Sequence, residues 1–75
     1  MNYDKEFDAS GLASPMPIVK TKKSLADMAS GQVLRVISTD AGSVCDMQAF
    51  AEQTGHTLLS SGTENSKYVF LIKKA

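Results

Sequence analysis

A chain of 75 residues, 43% hydrophobic and 21% charged, carries enough apolar surface to offset the entropy of ordering, which excludes a disordered protein. At this length only about 60% of the unfolded surface is buried on folding, so little interior is left for a large cofactor or a deep substrate cavity. Eight basic and eight acidic residues cancel, so no global field draws polyanions to the molecule.

The first element is Tyr3 to Ala9, where Tyr3, Lys5 and Phe7 alternate with Asp4, Glu6 and Asp8, the period of a strand. Ser10-Gly11 breaks it. Ser14-Pro15 then reads as a helix start, with Ser14 as the N-cap and Pro15 at the first helical position, where its missing N–H is no loss. Pro17 still falls inside the first turn. This helix is expected to run to about Ala29, with Ile18, Leu25, Met28 and Ala29 facing a core, Lys20, Lys23 and Asp27 in water, and Gly31 as the C-terminal cap.

Val33 to Ser38 is β-branched and apolar, a strand central to the sheet. Asp40-Ala41-Gly42 is a turn, after which Ser43 caps a second helix and Asp46 completes a variant capping box. Val44, Met47, Phe50, Ala51 and Thr54 form its inner face, and Gly55 stops it. Thr57 to Ser61 and Lys67 to Lys73 are two strands, joined through Gly62, Glu64 and Asn65 as a hairpin. The order β-α-β-α-β-β implies an α+β, two-layer sandwich. It has a four-stranded mixed sheet, a right-handed β-α-β crossover and both helices on one face.

The run Phe7-Asp8-Ala9-Ser10-Gly11-Leu12-Ala13-Ser14-Pro15-Met16-Pro17 resembles the signature of the TusA/SirA-like family. That signature is a hydrophobic residue and Asp, then Gly-Leu, then Cys-Pro-x-Pro opening the first helix. The resemblance continues through Lys22-Lys23-x-Leu25, Met28, Gly31, Val33-Leu34-x-Val36, Thr39-Asp40-x-Gly42-Ser43, Asp46, Phe50, Gly55-His56 and Tyr68-x-Phe70-x-Ile72-x-Lys74. It implies a two-layer sandwich acting as a sulfur carrier. The family's cysteine accepts sulfur as a persulfide from a desulfurase or rhodanese and passes it to an acceptor protein, for tRNA thiolation, cofactor synthesis or sulfur oxidation.

One departure bears on the activity. The family cysteine aligns with Ser14. A thiolate at a helix N-terminus is favoured by nearby backbone N–H groups and a partial positive charge. A serine hydroxyl stays un-ionised at neutral pH and cannot hold a persulfide. The chain is therefore expected to be inactive at residue 14. Either a cysteine was replaced to silence or trap the site, or the chain is a relative that has lost the carrier role. The intact surroundings favour the first.

The remaining candidates have plainer readings beside them. Cys45, the one thiol, rules out an internal disulfide and a cysteine-based zinc site. It is an auxiliary sulfur site, or simply a small, partly buried residue whose ionisation Asp46 opposes. His56 has no second ligand at metal spacing and is expected to meet the dipole of the preceding helix. Lys20, Lys22 and Lys23, with Lys73 and Lys74, are a docking patch for acidic partners or ordinary solvated lysines. Leu12 and Met16 are core, or an apolar rim that a partner covers. A hydrolase pairing Ser14 with His56 and Asp8 or Asp40 lacks a Gly-x-Ser-x-Gly elbow.

No cofactor and no metal are expected, and no turnover enzyme. Residues 1–75 are expected to form one cytoplasmic, monomeric domain, since no run approaches the ~20 apolar residues of a membrane span and Met1 to Phe7 has no signal-like stretch. The rival class is a regulatory or interaction module, including an RNA binder. Charge neutrality and the lack of an aromatic stacking platform weigh against nucleic acid.

Overall fold

The computed structural model describes residues 2–75; Met1, at the head of the polar opening segment, lies outside them. The elements are β1 (Lys5–Ala9), α1 (Met16–Ala26), β2 (Val33–Ser38), α2 (Ser43–Thr54), β3 (Thr57–Glu64) and β4 (Lys67–Lys73). The most apolar strands, β2 and β4, take the centre of a sheet ordered β1-β2-β4-β3, where both of their edges are paired. β1 runs parallel to β2, while β4 is antiparallel to both of its neighbours. This is the expected α+β sandwich with a mixed four-stranded sheet.

Side-chain alternation decides which face carries the helices. Leu34 and Val36 of β2 lie opposite Ile72 and Phe70 of β4. These four join Leu25 of α1, Met28 just beyond its end, and Met47, Phe50 and Ala51 from α2 in one core. The residues between them, Arg35, Ile37, Val69 and Leu71, point to the other face. There Arg35 pairs with Glu6 of β1 and Glu64 of β3 and lies over the Tyr3 ring, 5.6 Å from its centre. These carboxylates, Glu6 foremost, hold the guanidinium pKa above its usual value.

Several boundaries differ from the sequence expectations. α1 ends at Ala26, not Ala29. Met28 has left the helix to bury its side chain in the core, where the ammonium of Lys74 donates to its carbonyl at 2.6 Å. Ala29 is exposed, and Gly31 (φ 87°) serves the following turn instead of the helix end. The inner face of α1 is the i, i+4 row Pro17, Thr21 and Leu25, with Ile18 packed against the core; Leu25 and Ile18 were expected there, whereas Pro17 and Thr21 were not, being a helix-start residue and a polar one. Thr21 is satisfied by donating its hydroxyl to the Pro17 carbonyl at 2.7 Å.

In α2, Gly42 is the N-cap and Ser43 is buried. Its N–H goes to the Asp40 carbonyl and its hydroxyl pairs with that of Ser38 at 2.6 Å, so the expected capping box does not form. Thr54 is exposed and donates its hydroxyl to the Phe50 carbonyl. Gly55 does cap the helix, at φ 82°. β3 runs on through Gly62 and Glu64, leaving a two-residue turn of Asn65 and Ser66, both at positive φ (51° and 66°). No helix among the described residues is long and apolar enough to cross a membrane.

Candidate functional site

Parallel pairing of β1 and β2 ends with Ala9 beside Ser38. The loops that follow these strands, one leading to α1 and the other to α2, therefore leave the sheet side by side. Polar residues tie them together. The Asp8 carboxylate accepts the Ser10 hydroxyl (2.6 Å) and N–H (2.9 Å), and these two bonds, the hydroxyl first, hold its pKa below the ordinary carboxylate value. Gly11, at φ 83°, gives its N–H to the Thr39 hydroxyl across the gap at 2.9 Å. The Asp40 carboxylate accepts the N–H of Ser14 at 2.6 Å and that of Gly42 at 3.2 Å.

Ser14 is exposed at the mouth of this junction. Its hydroxyl donates to Asp46 Oδ2 at 2.6 Å, so it does not cap α1, whose N-cap is Pro15. The reason lies in the neighbours. Pro15 and Pro17 have no N–H to offer, and the N–H of Met16 is taken by the Ala13 carbonyl at 2.9 Å. The N–H groups of Ile18 and Val19 both go to the Pro15 carbonyl at 3.1 Å. The amides expected to welcome an anion at position 14 are thus engaged with backbone oxygens, and what faces the side chain is a carboxylate.

Beside Ser14 runs a shallow groove of about 270 Å³ lined by Ser14, Pro15, Ile18, Asp46, Ala49, Phe50 and Gln53. It lies between the start of α1 and the face of α2 that carries Asp46, Ala49, Phe50 and Gln53. The Ser14–Pro15 peptide bond is cis. Pro15 lies on this groove, whereas Pro17 is buried as part of the core-facing row of α1. Met16 is 39% exposed and Val19, one turn on, 43%. Leu12 is half-buried. Met16 is therefore not core, and Val19 is a further exposed apolar residue of α1 that the sequence reading did not single out.

The other candidates are spread over the surface. Lys20, Lys22 and Lys23 are exposed along α1. Cys45 is exposed on the first turn of α2, not partly buried, because the adjacent inward positions are filled by Ser43 and Met47. His56 turns its ring onto Phe50, with centroids 5.7 Å apart, and its Nδ1 accepts the N–H of Ala75 at 3.0 Å. Ser14 and His56 thus have different partners, and no Ser/His/Asp arrangement is assembled. Among the described residues no cluster of His, Cys, Asp and Glu is arranged to hold a metal.

Asp40 is the turn residue the sequence predicts, but its second role beside Ser14 was not foreseen, and Asp46 is not the helix cap it was taken for. Their partner is Ser14, 26 and 32 positions away, and no local pattern announces a contact at that range.

Comparison with known proteins agrees with this architecture. Residues 5–74 match the sequence model of the family described as Sulfurtransferase TusA. The sulfur carrier protein TusA of Allochromatium vinosum is 57% identical over 74 residues, spanning 99% of this chain and 97% of its own length. A crystal structure of a SirA-like protein from Desulfitobacterium hafniense shares the fold with a TM-score of 0.82 at 26% identity, over 93% of this chain and 96% of that one. On a match that runs through both layers of the sandwich and the loop holding Ser14, this chain belongs to the TusA sulfurtransferase family.

Proposed function

We propose that this chain is a sulfur carrier silenced at its loading position, with Ser14 standing where the family pattern has the cysteine of Cys-Pro-x-Pro. In a loaded carrier a thiolate attacks the outer sulfur of a donor persulfide. A new S–S bond forms on the carrier, the S–S bond of the donor breaks, and the donor thiolate leaves. The same exchange passes the sulfur to the acceptor, with no net oxidation and no external oxidant. Only a sulfur nucleophile serves in both exchanges, and a hydroxyl is not one.

The observation that carries the reading is the position of Ser14. It is exposed, next to Pro15, at the end of an apolar groove that a partner protein can cover. In this reading the donor is a desulfurase or rhodanese and the acceptor a second protein of a cytoplasmic relay. Leu12 and Met16, with Lys20, Lys22 and Lys23 along α1, form the docking surface.

The test is intact-mass spectrometry after incubation with a cysteine desulfurase and cysteine, or a rhodanese and thiosulfate. Ser14→Cys in a Cys45→Ser background is expected to gain one sulfur atom, removable by a reductant, and the parent chain none. Failure of the revertant to gain sulfur from a donor that loads another carrier overturns the reading. So does uptake by the parent chain at Cys45.

A further inference from the structure

Two effects compete over any sulfur at position 14. The start of α1 would favour an anion there, as helix N-termini do for reactive cysteines. That benefit depends on free amide hydrogens. Here Pro15 and Pro17 contribute none, and those of Met16, Ile18 and Val19 are bound to backbone carbonyls. Against it stands the Asp46 carboxylate, 2.6 Å from the side-chain oxygen of residue 14. A like charge at such range shifts ionisation against the second anion.

From this geometry we infer that Asp46 is the positioning residue for position 14. It holds that side chain as a hydrogen donor and keeps a thiol placed there protonated at neutral pH. The inference rests on the silenced-carrier reading for its biological meaning, but not for its chemistry.

The surroundings contain little to offset Asp46. The other charged group at residue 14 is Asp40, which accepts the backbone N–H and is also negative. The rest of the groove, Pro15, Ile18, Ala49, Phe50 and Gln53, is uncharged. From Met16 to Val19 the opening of α1 bears no charge, and the nearest lysine on it, Lys20, is exposed in the following turn. A thiol in the place of the Ser14 hydroxyl keeps the bond by donating S–H to Asp46. A thiolate loses that bond and meets a carboxylate instead. Sulfur uptake at this position then depends on neutralising Asp46, which a basic side chain of a docked donor would do.

The test measures alkylation rate by iodoacetamide against pH in Ser14→Cys/Cys45→Ser, which has a single thiol. The midpoint is expected above the ordinary thiol value of ~8.5. Adding Asp46→Asn, which keeps the shape and removes the charge, is expected to lower it by about one pH unit, a tenfold change in ionisation; solvent exposure limits the effect to the lower end of the usual range. Raising the salt concentration is expected to lower the midpoint while Asp46 is present, and to lower it less once Asp46→Asn has been added and only Asp40 remains to be screened. A midpoint below 8.5 with Asp46 present, or one unmoved by both Asp46→Asn and salt, overturns the inference.

Alkylation by a small reagent reports ionisation even if no donor ever loads the protein. If the midpoints shift as stated but no sulfur is taken up, the carrier reading fails and the role of Asp46 stands. If sulfur is taken up and the midpoints do not shift, the role of Asp46 fails alone.

Discussion

Ser38 and Ser43 illustrate how one residue can hold a loop in place. Both are buried, and their hydroxyls meet at 2.6 Å beneath the segment that carries Asp40. Ser38 Oγ also accepts the Asp40 N–H at 3.2 Å. The pair thus fixes the turn whose carboxylate receives Ser14. Ser43→Ala is expected to cost about 1–3 kcal/mol, because a buried hydroxyl loses its partner. Ser38→Ala/Ser43→Ala is expected to lose less than the sum of the single changes. Urea denaturation of the four proteins checks this, and strict additivity would show that the two hydroxyls do not act as a pair. Serine reads in sequence as a cap or a turn residue; here its value is as a small, mutually satisfied polar plug.

Among the elements, the β3–β4 hairpin has the most exacting local geometry. Asn65 and Ser66 both occupy positive φ, as a two-residue turn matching strand twist requires. Asparagine tolerates that region, whereas serine is strained there. Ser66→Gly is expected to raise stability by up to about 1 kcal/mol, the relief of strain being partly offset by greater freedom of the unfolded chain. A rise in the thermal midpoint checks it, and a fall would mean that the serine side chain contributes a contact not evident in the turn. At the other end of β3 the register slips between Leu58 and Ser60, leaving Leu59 as a bulge residue. Bulging and the polar run Ser60 to Glu64 make this edge a poor template for pairing with another chain.

The whole molecule rests on a core confined to one side of the sheet. Phe70 and Ile72 of β4 and Leu34 and Val36 of β2 have no exposed surface, and both helices converge on them. For 75 residues a total stability of about 4–11 kcal/mol is typical. Phe70→Ala, at a cost of about 3–5 kcal/mol, is expected to remove about a quarter or more of it. A urea midpoint lowered by less than a fifth would show that the core closes over the gap. The order of elements, the helix-bearing face and the family pattern around Phe7 to Pro17 were legible along the chain, because alternation, helical spacing and glycine stops are local signals. The hairpin was legible too, though not its turn, since Gly62 and Glu64 resemble loop residues until β4 pairs with them. The surroundings of Ser14 were not. Local reading made Ser14 a cap and Asp46 half of a capping box. The parallel pairing of β1 with β2 put the loop after one strand against the helix after the other, joining Ser14 to Asp46 across 32 positions. Such a contact arises only when the sheet forms, and it puts a carboxylate at a helix start that the sequence alone reads as a place for an anion.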